Sequence, residues 1–312
     1  MLTRSPDEAA AHIRAGRLAA FPTETVYGLG ADAFQPDAVE AVFAAKGRPA
    51  DNPLIVHLAD AGQVDQVVAT LPASAERLLG AFAPGPITCI VPRHPELPSV
   101  VTAGLDTVGV RIPAHATAQA FLRACATPVA APSANRSGRP SPTTWQAVQE
   151  DLDGRIACIL QGAPTEAGVE STVGDCTADP PAVLRPGAVP VEALRAVLGT
   201  VEFPEEEASD DAPRSPGTKH RHYAPAARVH VVQEPSEAES GEGVAYIGLD
   251  PPPAGDFAVV HRPADVDTYA HDVFAFFREC DRAGCDDIYA QRVSPDGLGR
   301  ALNDRLERAA AR

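Results

Sequence analysis

The chain has 312 residues, and its 26 Lys and Arg against 42 Asp and Glu leave a net charge of −16. That length fits about two domains, and the charge argues against holding nucleic acid or an anionic membrane through bulk attraction. Hydrophobic residues make up 45%, enough for a packed core and too many for wholesale disorder. No run of eighteen apolar residues occurs, which argues against a membrane span. Residues 1–17 carry Asp7, Glu8 and Arg14 where a signal peptide needs an apolar stretch. Six cysteines without a C-x-x-C pair read as reduced, mostly buried thiols of a cytoplasmic protein rather than as a metal site. Of the 26 basic residues two are lysine, Lys46 and Lys219, in a chain with 57 Ala. A lysine kept against such a drift toward Arg marks a place where a compact, mobile ammonium matters.

In chain order, residues 5–16 predict a helix with Ser5 as its cap, Pro6 at its first position and Gly16 at its end. A strand is expected at 18–22. A helix at 37–46 follows from the spacing of Val39, Val42 and Phe43. Short apolar strands are expected at 54–58, 88–91, 108–112, 129–131, 156–160, 171–175 and 182–184. Helices are expected at 63–70, 74–82, 116–125, 144–152 and 191–198. The strands outnumber the helices and lack a regular βαβ beat, so residues 1–200 predict a mixed, twisted α/β sheet with helices packed on it. Residues 201–228 open on an acidic run with the composition of a solvated linker. Within them, 215–225 reads S-P-G-T-K-H-R-H-Y-A-P, more basic and aromatic than a linker needs. Strands at 229–232, 244–249, 257–260 and 287–293, with helices at 267–283 and 296–310, predict a small Rossmann-like α/β domain over 229–312. It lacks the G-x-G-x-x-G turn of dinucleotide sites.

Chemistry-bearing residues concentrate in a few segments. Residues 21–30 (F-P-T-E-T-V-Y-G-L-G) gather hydroxyls, a carboxylate, a phenol and glycines after a strand, though alone they read more plainly as a polar turn. In 46–54 (K-G-R-P-A-D-N-P-L), Lys46 and Arg48 flank a glycine, a point charge and a fork suited to an oligophosphate. Complementing a helix C-terminus explains those charges equally well, but not Asn52 or His57. Residues 130–143 follow a strand with small hydroxyls, Asn135, Arg136 and Arg139, the kind of strand-end loop where α/β folds bind ligands. The segments 107–113, 169–173 and 183–187 add Arg111, Ser171 and Arg185, each a weak signal alone.

Taken in order, P-T-E-T-V-Y-G-L-G, K-G-R-P-x-x-N-P-L, V-R-x-P, P-S-A-N-x-S-G, E-S-T-V, L-R-P-G and S-P-G-x-K-x-x-H-Y-x-P are closely similar to one family. The chain resembles the L-threonylcarbamoyladenylate synthases of YrdC-like fold, in their longer two-domain form. The resemblance covers about residues 10–200 and the motif at 215–225; beyond that, only length and strand–helix order match. It implies a YrdC-like catalytic domain over 1–200, a linker and lid over 201–228, and a Rossmann-like domain over 229–312. It also implies synthesis of threonylcarbamoyl-AMP and pyrophosphate from L-threonine, bicarbonate and ATP. The cofactor implied is Mg²⁺, carried on the ATP phosphates without protein side-chain ligands. The product would pass to a complex that modifies tRNA next to the anticodon.

Carried over by position, Lys46, Arg48, Ser133 and Asn135 form the implied catalytic tetrad. Arg48, Asn52, Thr107, Ser133, Ser141, Arg185 and Tyr223 would bind ATP. Thr25, His57, Arg111, Ala131 and Ser171 would bind threonine, with Arg111 on its carboxylate. Lys219, His222 and Tyr223 would close over the nucleotide and exclude water. Two anionic reactants make charge repulsion the chief obstacle, for which positioning and fixed cations are the remedy.

Two alternatives come from other classes. A double-stranded RNA-binding module is disfavoured because neither half of the chain carries excess positive charge. A carbamoyltransferase using carbamoyl phosphate is disfavoured because this chain has neither zinc-ligand spacing nor a large additional catalytic domain.

Overall fold

A computed structural model describes residues 1–203 and 223–311. Its first half runs β1 (Leu2–Thr3), α1 (Pro6–Arg14), β2 (Ala19–Phe21), β3 (Gly28–Asp32), α2 (Pro36–Lys46), β4 (Ile55–His57), α3 (Val64–Val67), α4 (Ala73–Phe82), β5 (Ile87–Pro92), β6 (Thr107–Arg111), α5 (Ala116–Cys125) and β7 (Val129–Ala131). Then come α6 (Trp145–Leu152), β8 (Cys158–Leu160), β9 (Thr172–Asp175), β10 (Ala182–Arg185) and α7 (Val191–Leu198). After the undescribed stretch follow β11 (Arg228–Val232), β12 (Gly241–Ile247), β13 (Phe257–His261), α8 (Val266–Ala283), β14 (Asp287–Gln291) and α9 (Gly299–Ala310).

Among the described residues, β1 to β10 form one sheet in the order β1-β8-β2-β3-β7-β4-β6-β5-β9-β10, with parallel and antiparallel pairs intermixed. Both faces are covered, and the strands show it by alternation. In β2, Ala19 and Phe21 join Ile13, Phe121 and Leu122 of α1 and α5, while Ala20 joins Val42 and Val56 on the opposite face. Phe21 stacks on Phe121 at 4.9 Å between ring centroids. The α1 cap is as expected: the Ser5 hydroxyl accepts from the Glu8 N–H.

The second sheet, β11-β14-β12-β13, is wholly parallel. Its core reaches into the first unit, since Val26 and Val169 pack in the same cluster as Phe274, Leu302 and Leu306. The mixed α/β sheet and the small Rossmann-like unit match the fold expected from the sequence.

Two local expectations are corrected. Residues 28–32 of the segment expected to be a turn form β3, an inner strand held by antiparallel pairing to β2 and β7. Residues 63–70 are not one helix: α3 ends at Val67, and Val68 turns extended to bridge Arg93. Val67 and Val68, both β-branched, favour that exit. All six cysteines are buried and free. Among the described residues, no helix is long and apolar enough to cross a membrane.

Candidate active site

A cleft of about 590 Å³, its open mouth included, lies where β3, β4, β6 and β7 turn a face away from the main core. Strand alternation aims the residues: Val56 enters the main core, while Ile55 and His57 line the cleft. His57 and Arg111 are register partners on parallel strands, so their side chains stand side by side.

Arg48 is aimed by the end of α2. Gly47 takes φ 63°, and the Arg48 N–H bonds back to the Phe43 carbonyl while the Gly47 N–H reaches that of Ala44, a Schellman motif. The turn sends Arg48 into the cleft, where it donates to the Pro53 carbonyl at 3.1 Å. Lys46, one residue before the cap, goes underneath. The residue is 2% exposed, and its ammonium donates to the backbone carbonyls of Ser133 and Asn135. Burial drives the Lys46 ammonium well below its ordinary pKa.

The loop after β7 is folded on itself. Ser133 donates to Asn135 Oδ1 at 2.6 Å, and Asn135 Nδ2 donates to the carbonyls of Arg136 and Arg139. Asp151 of α6 accepts from the Arg136 N–H and from Arg139. Arg278 of α8 reaches the same carboxylate at 2.9 Å.

Two groups of buried charge stand in and around the cleft. In the first, Arg111 faces Glu24 at 2.8 Å. Burial pushes the Glu24 carboxyl up, but the Arg111 guanidinium outweighs it and holds the carboxyl below its usual range. Burial, helped by Arg111, takes His57 down to about 3, so its ring is neutral at physiological pH. In the second group, Arg185 donates to the Ser171 carbonyl at 2.9 Å, and Ser171 shares a 2.8 Å hydroxyl contact with Thr88. Burial lowers Arg48 to about 10, leaving it cationic at neutral pH. Glu170 accepts from Ser141 at 2.6 Å and from Arg305 of α9 at 2.7 Å. Burial pushes its carboxyl up, and Arg305 and Arg185 more than reverse the shift.

Of the residues expected from the sequence, the cleft wall carries Arg48, His57, Arg111, Ala131, Ser133, Asn135, Ser171, Arg185 and Tyr223. Lys46 and Ser141 stand one layer behind it, bonded to its loops. Asn52 is fully buried, and its side-chain amide finds no hydrogen-bond partner among the described residues. Thr25 is sealed and bonded to Thr23, and it is Thr23 that lines the cleft. Thr107 starts β6 four residues before Arg111, roughly 13 Å along the strand, and does not line the cleft. Lys219 and His222 lie outside the described residues. Thr23, Tyr27 and Glu170 are cleft residues that the sequence reading passed over. All three sit inside segments it singled out.

Comparison with known proteins shows the family. Residues 11–187 match a family model described as "Telomere recombination", and residues 189–311 match one described as the C-terminal domain of threonylcarbamoyl-AMP synthase. A threonylcarbamoyl-AMP synthase of Pyrococcus abyssi is 44% identical over 96% of this chain and 92% of its own length. One from Bacillus subtilis is 42% identical over 97% and 92%. A crystal structure of P. abyssi Sua5 complexed with L-threonine superposes with a TM-score of 0.91, at 42% identity, over 99% of this chain and 96% of that one. Escherichia coli YciO shares the fold over 58% of this chain, with a TM-score of 0.54 and 24% identity. With relatives this similar along nearly its whole length, the chain belongs to the threonylcarbamoyl-AMP synthase family of enzymes.

Proposed function

We propose that the cleft binds L-threonine at its Arg111 end and ATP along Arg48 and Arg185, and joins them through bicarbonate. The observation that carries this reading is the presence of two separate sets of buried guanidinium groups on the walls of one cleft. Arg111 presents a fork to an amino-acid carboxylate. The neutral His57 ring beside it leaves that end without a second cation. Thr23 and Ser171 offer hydroxyls for the polar atoms of threonine.

Threonine's amine attacks bicarbonate, water leaves, and a carbamate forms. A carbamate oxygen then bonds to the α-phosphorus of ATP as the bond to the β-phosphate oxygen breaks, releasing pyrophosphate. Arg48 and Arg185 offset the repulsion between two anions and stabilise charge on the leaving group. The Ser133–Asn135 turn, held from below by Lys46, places a hydroxyl beside the same phosphates. Mg²⁺ borne on the phosphates supplies further neutralisation. The donor set fits that arrangement: the one carboxylate among the described lining residues, Glu170, is already taken by Ser141 and Arg305. In this reading the enzyme is cytoplasmic, and its product passes to a complex that modifies tRNA beside the anticodon.

Mass spectrometry of the product from ATP, threonine and isotope-labelled bicarbonate tests this. A labelled threonylcarbamoyl-AMP is expected, with pyrophosphate released only when all three substrates are present. Equal pyrophosphate release without threonine overturns the reading.

A further inference from the structure

We propose that Arg305, carried by α9 of the second unit, is a positioning residue for the nucleotide wall of the cleft. The proposal rests on the assignment of Arg48 and Arg185 to ATP made above.

Arg305 is the bulkiest fully buried side chain among the described residues, with no exposed surface. A guanidinium stripped of water is costly unless its donors are met, and here they are met from both units. Nε donates to Glu170 Oε2 at 2.7 Å, Nη2 donates to the Pro186 carbonyl at 3.0 Å, and Nη1 pairs with Asp304 on its own helix. Its Cζ also lies 5.2 Å from the centroid of the Tyr223 ring, a cation–π distance.

Those partners belong to two different motifs. Glu170 opens E-S-T-V, whose Ser171 lines the cleft, and Pro186 belongs to L-R-P-G, whose Arg185 lines it too. Arg305 therefore fastens the turn that carries Arg185, one arm of the phosphate-binding set, to the turn that carries Ser171. The turns are already pressed close: a Cβ on Gly187 would stand 2.4 Å from the backbone of Ser171 and Thr172. A single planar fork fits between neighbouring backbones where two separate cations would not.

Tyr223 gives the contact a second role. It takes φ 66°, a left-handed conformation that side chains other than glycine rarely adopt. It is held there by stacking on Phe274 at 5.3 Å, by the Ala224 N–H on the Gly138 carbonyl, and by Arg305. The ring lines the cleft with Arg48 and Arg185. Arg305 touches neither His57 nor Arg111 and reaches the amino-acid side only at Ser171, through Glu170, so loosening it disturbs the nucleotide side of the cleft more than the amino-acid side.

The test is steady-state kinetics of the full chain with Arg305→Lys, which keeps a cation but loses the fork. The KM for ATP is expected to rise at least tenfold, and several times more than the KM for threonine, whatever the fall in melting temperature. Glu170→Gln, which keeps the side chain's size, should also raise the ATP KM. The double variant should add little to the larger single effect. A native ATP KM in Arg305→Lys, or equal rises in both KM values, overturns the proposal. If Arg305→Lys does not fold, the same reading is taken from Glu170→Gln, whose native ATP KM overturns it equally. Arg185→Ala separates the two levels. A native ATP KM there removes the nucleotide wall itself and this proposal with it. A raised one beside an unaffected Arg305→Lys removes only the positioning role.

Discussion

Glu24 and Arg111 face each other at 2.8 Å with side chains 8% and 4% exposed. Such a pair is expensive to break from one side, because the survivor is left charged and dry. Glu24→Ala is therefore expected to cost about 3 kcal/mol in urea unfolding. Saturating threonine should restore part of the loss, since a substrate carboxylate would occupy the deserted guanidinium. A threonine-induced stabilisation no larger than in the native protein counts against Arg111 as the carboxylate site.

His57 gives the protein a pH dependence whose sign is fixed. Its folded pKa is near 3 and its unfolded value 6.5, so between these limits the unfolded chain binds the extra proton. Stability is then fully present above about pH 6.5 and is lost as pH falls, by about 1.4 kcal/mol per unit from this group alone. His57→Gln, unable to titrate, should lose about 2 kcal/mol less than the native protein between pH 7 and pH 5. Parallel unfolding curves at the two pH values would show that the ring is not sealed.

Lys46 is expected to behave as a tether rather than as a surface cation. Lys46→Met leaves the carbonyls of Ser133 and Asn135 without their buried donor, at a cost of roughly 2 kcal/mol. Synthesis should fall by tenfold or more as the Ser133–Asn135 turn loosens. The stability difference between Lys46→Met and the native protein should change little with added salt, because this contact is shielded from screening.

Asp151 ties the cleft loop to the second unit, accepting from Arg136 and Arg139 on one side and Arg278 on the other. Arg278→Met is expected to destabilise the protein by about 3 kcal/mol, leaving a carboxylate with no exposed surface short of one cation. Limited proteolysis should then cut first within 133–143, and native-like cleavage times would show that Arg139 alone suffices.

The sequence carried much of this architecture, for reasons visible in single elements. The α1 helix was legible because its start signals are local: Ser5 caps and Pro6 follows. The strand β3 was not, because G-L-G reads as a turn and its strand character comes from its partners. A Cβ on Gly30 would stand 2.8 Å from Val129 Cγ1, so the glycine answers to packing against β7. The motif residues of the cleft could be named because they cluster within short segments. Lys46 could be placed in its loop, but its position under the Ser133–Asn135 turn depends on partners 87 and 89 residues away. Arg305 and Arg278 left no trace at all. Each lies on a helix that reads as ordinarily amphipathic, and its meaning comes from a partner 135 or 127 residues away.

That separation also sets an order of events. At about 5–20 residues per second of synthesis, Arg305 leaves the ribosome roughly 7–27 s after Glu170. The ten-stranded sheet has time to form first, and for that interval Glu170 lacks the guanidinium that finally neutralises it. Pinning of that cleft wall therefore waits for nearly the whole of the second unit to be made.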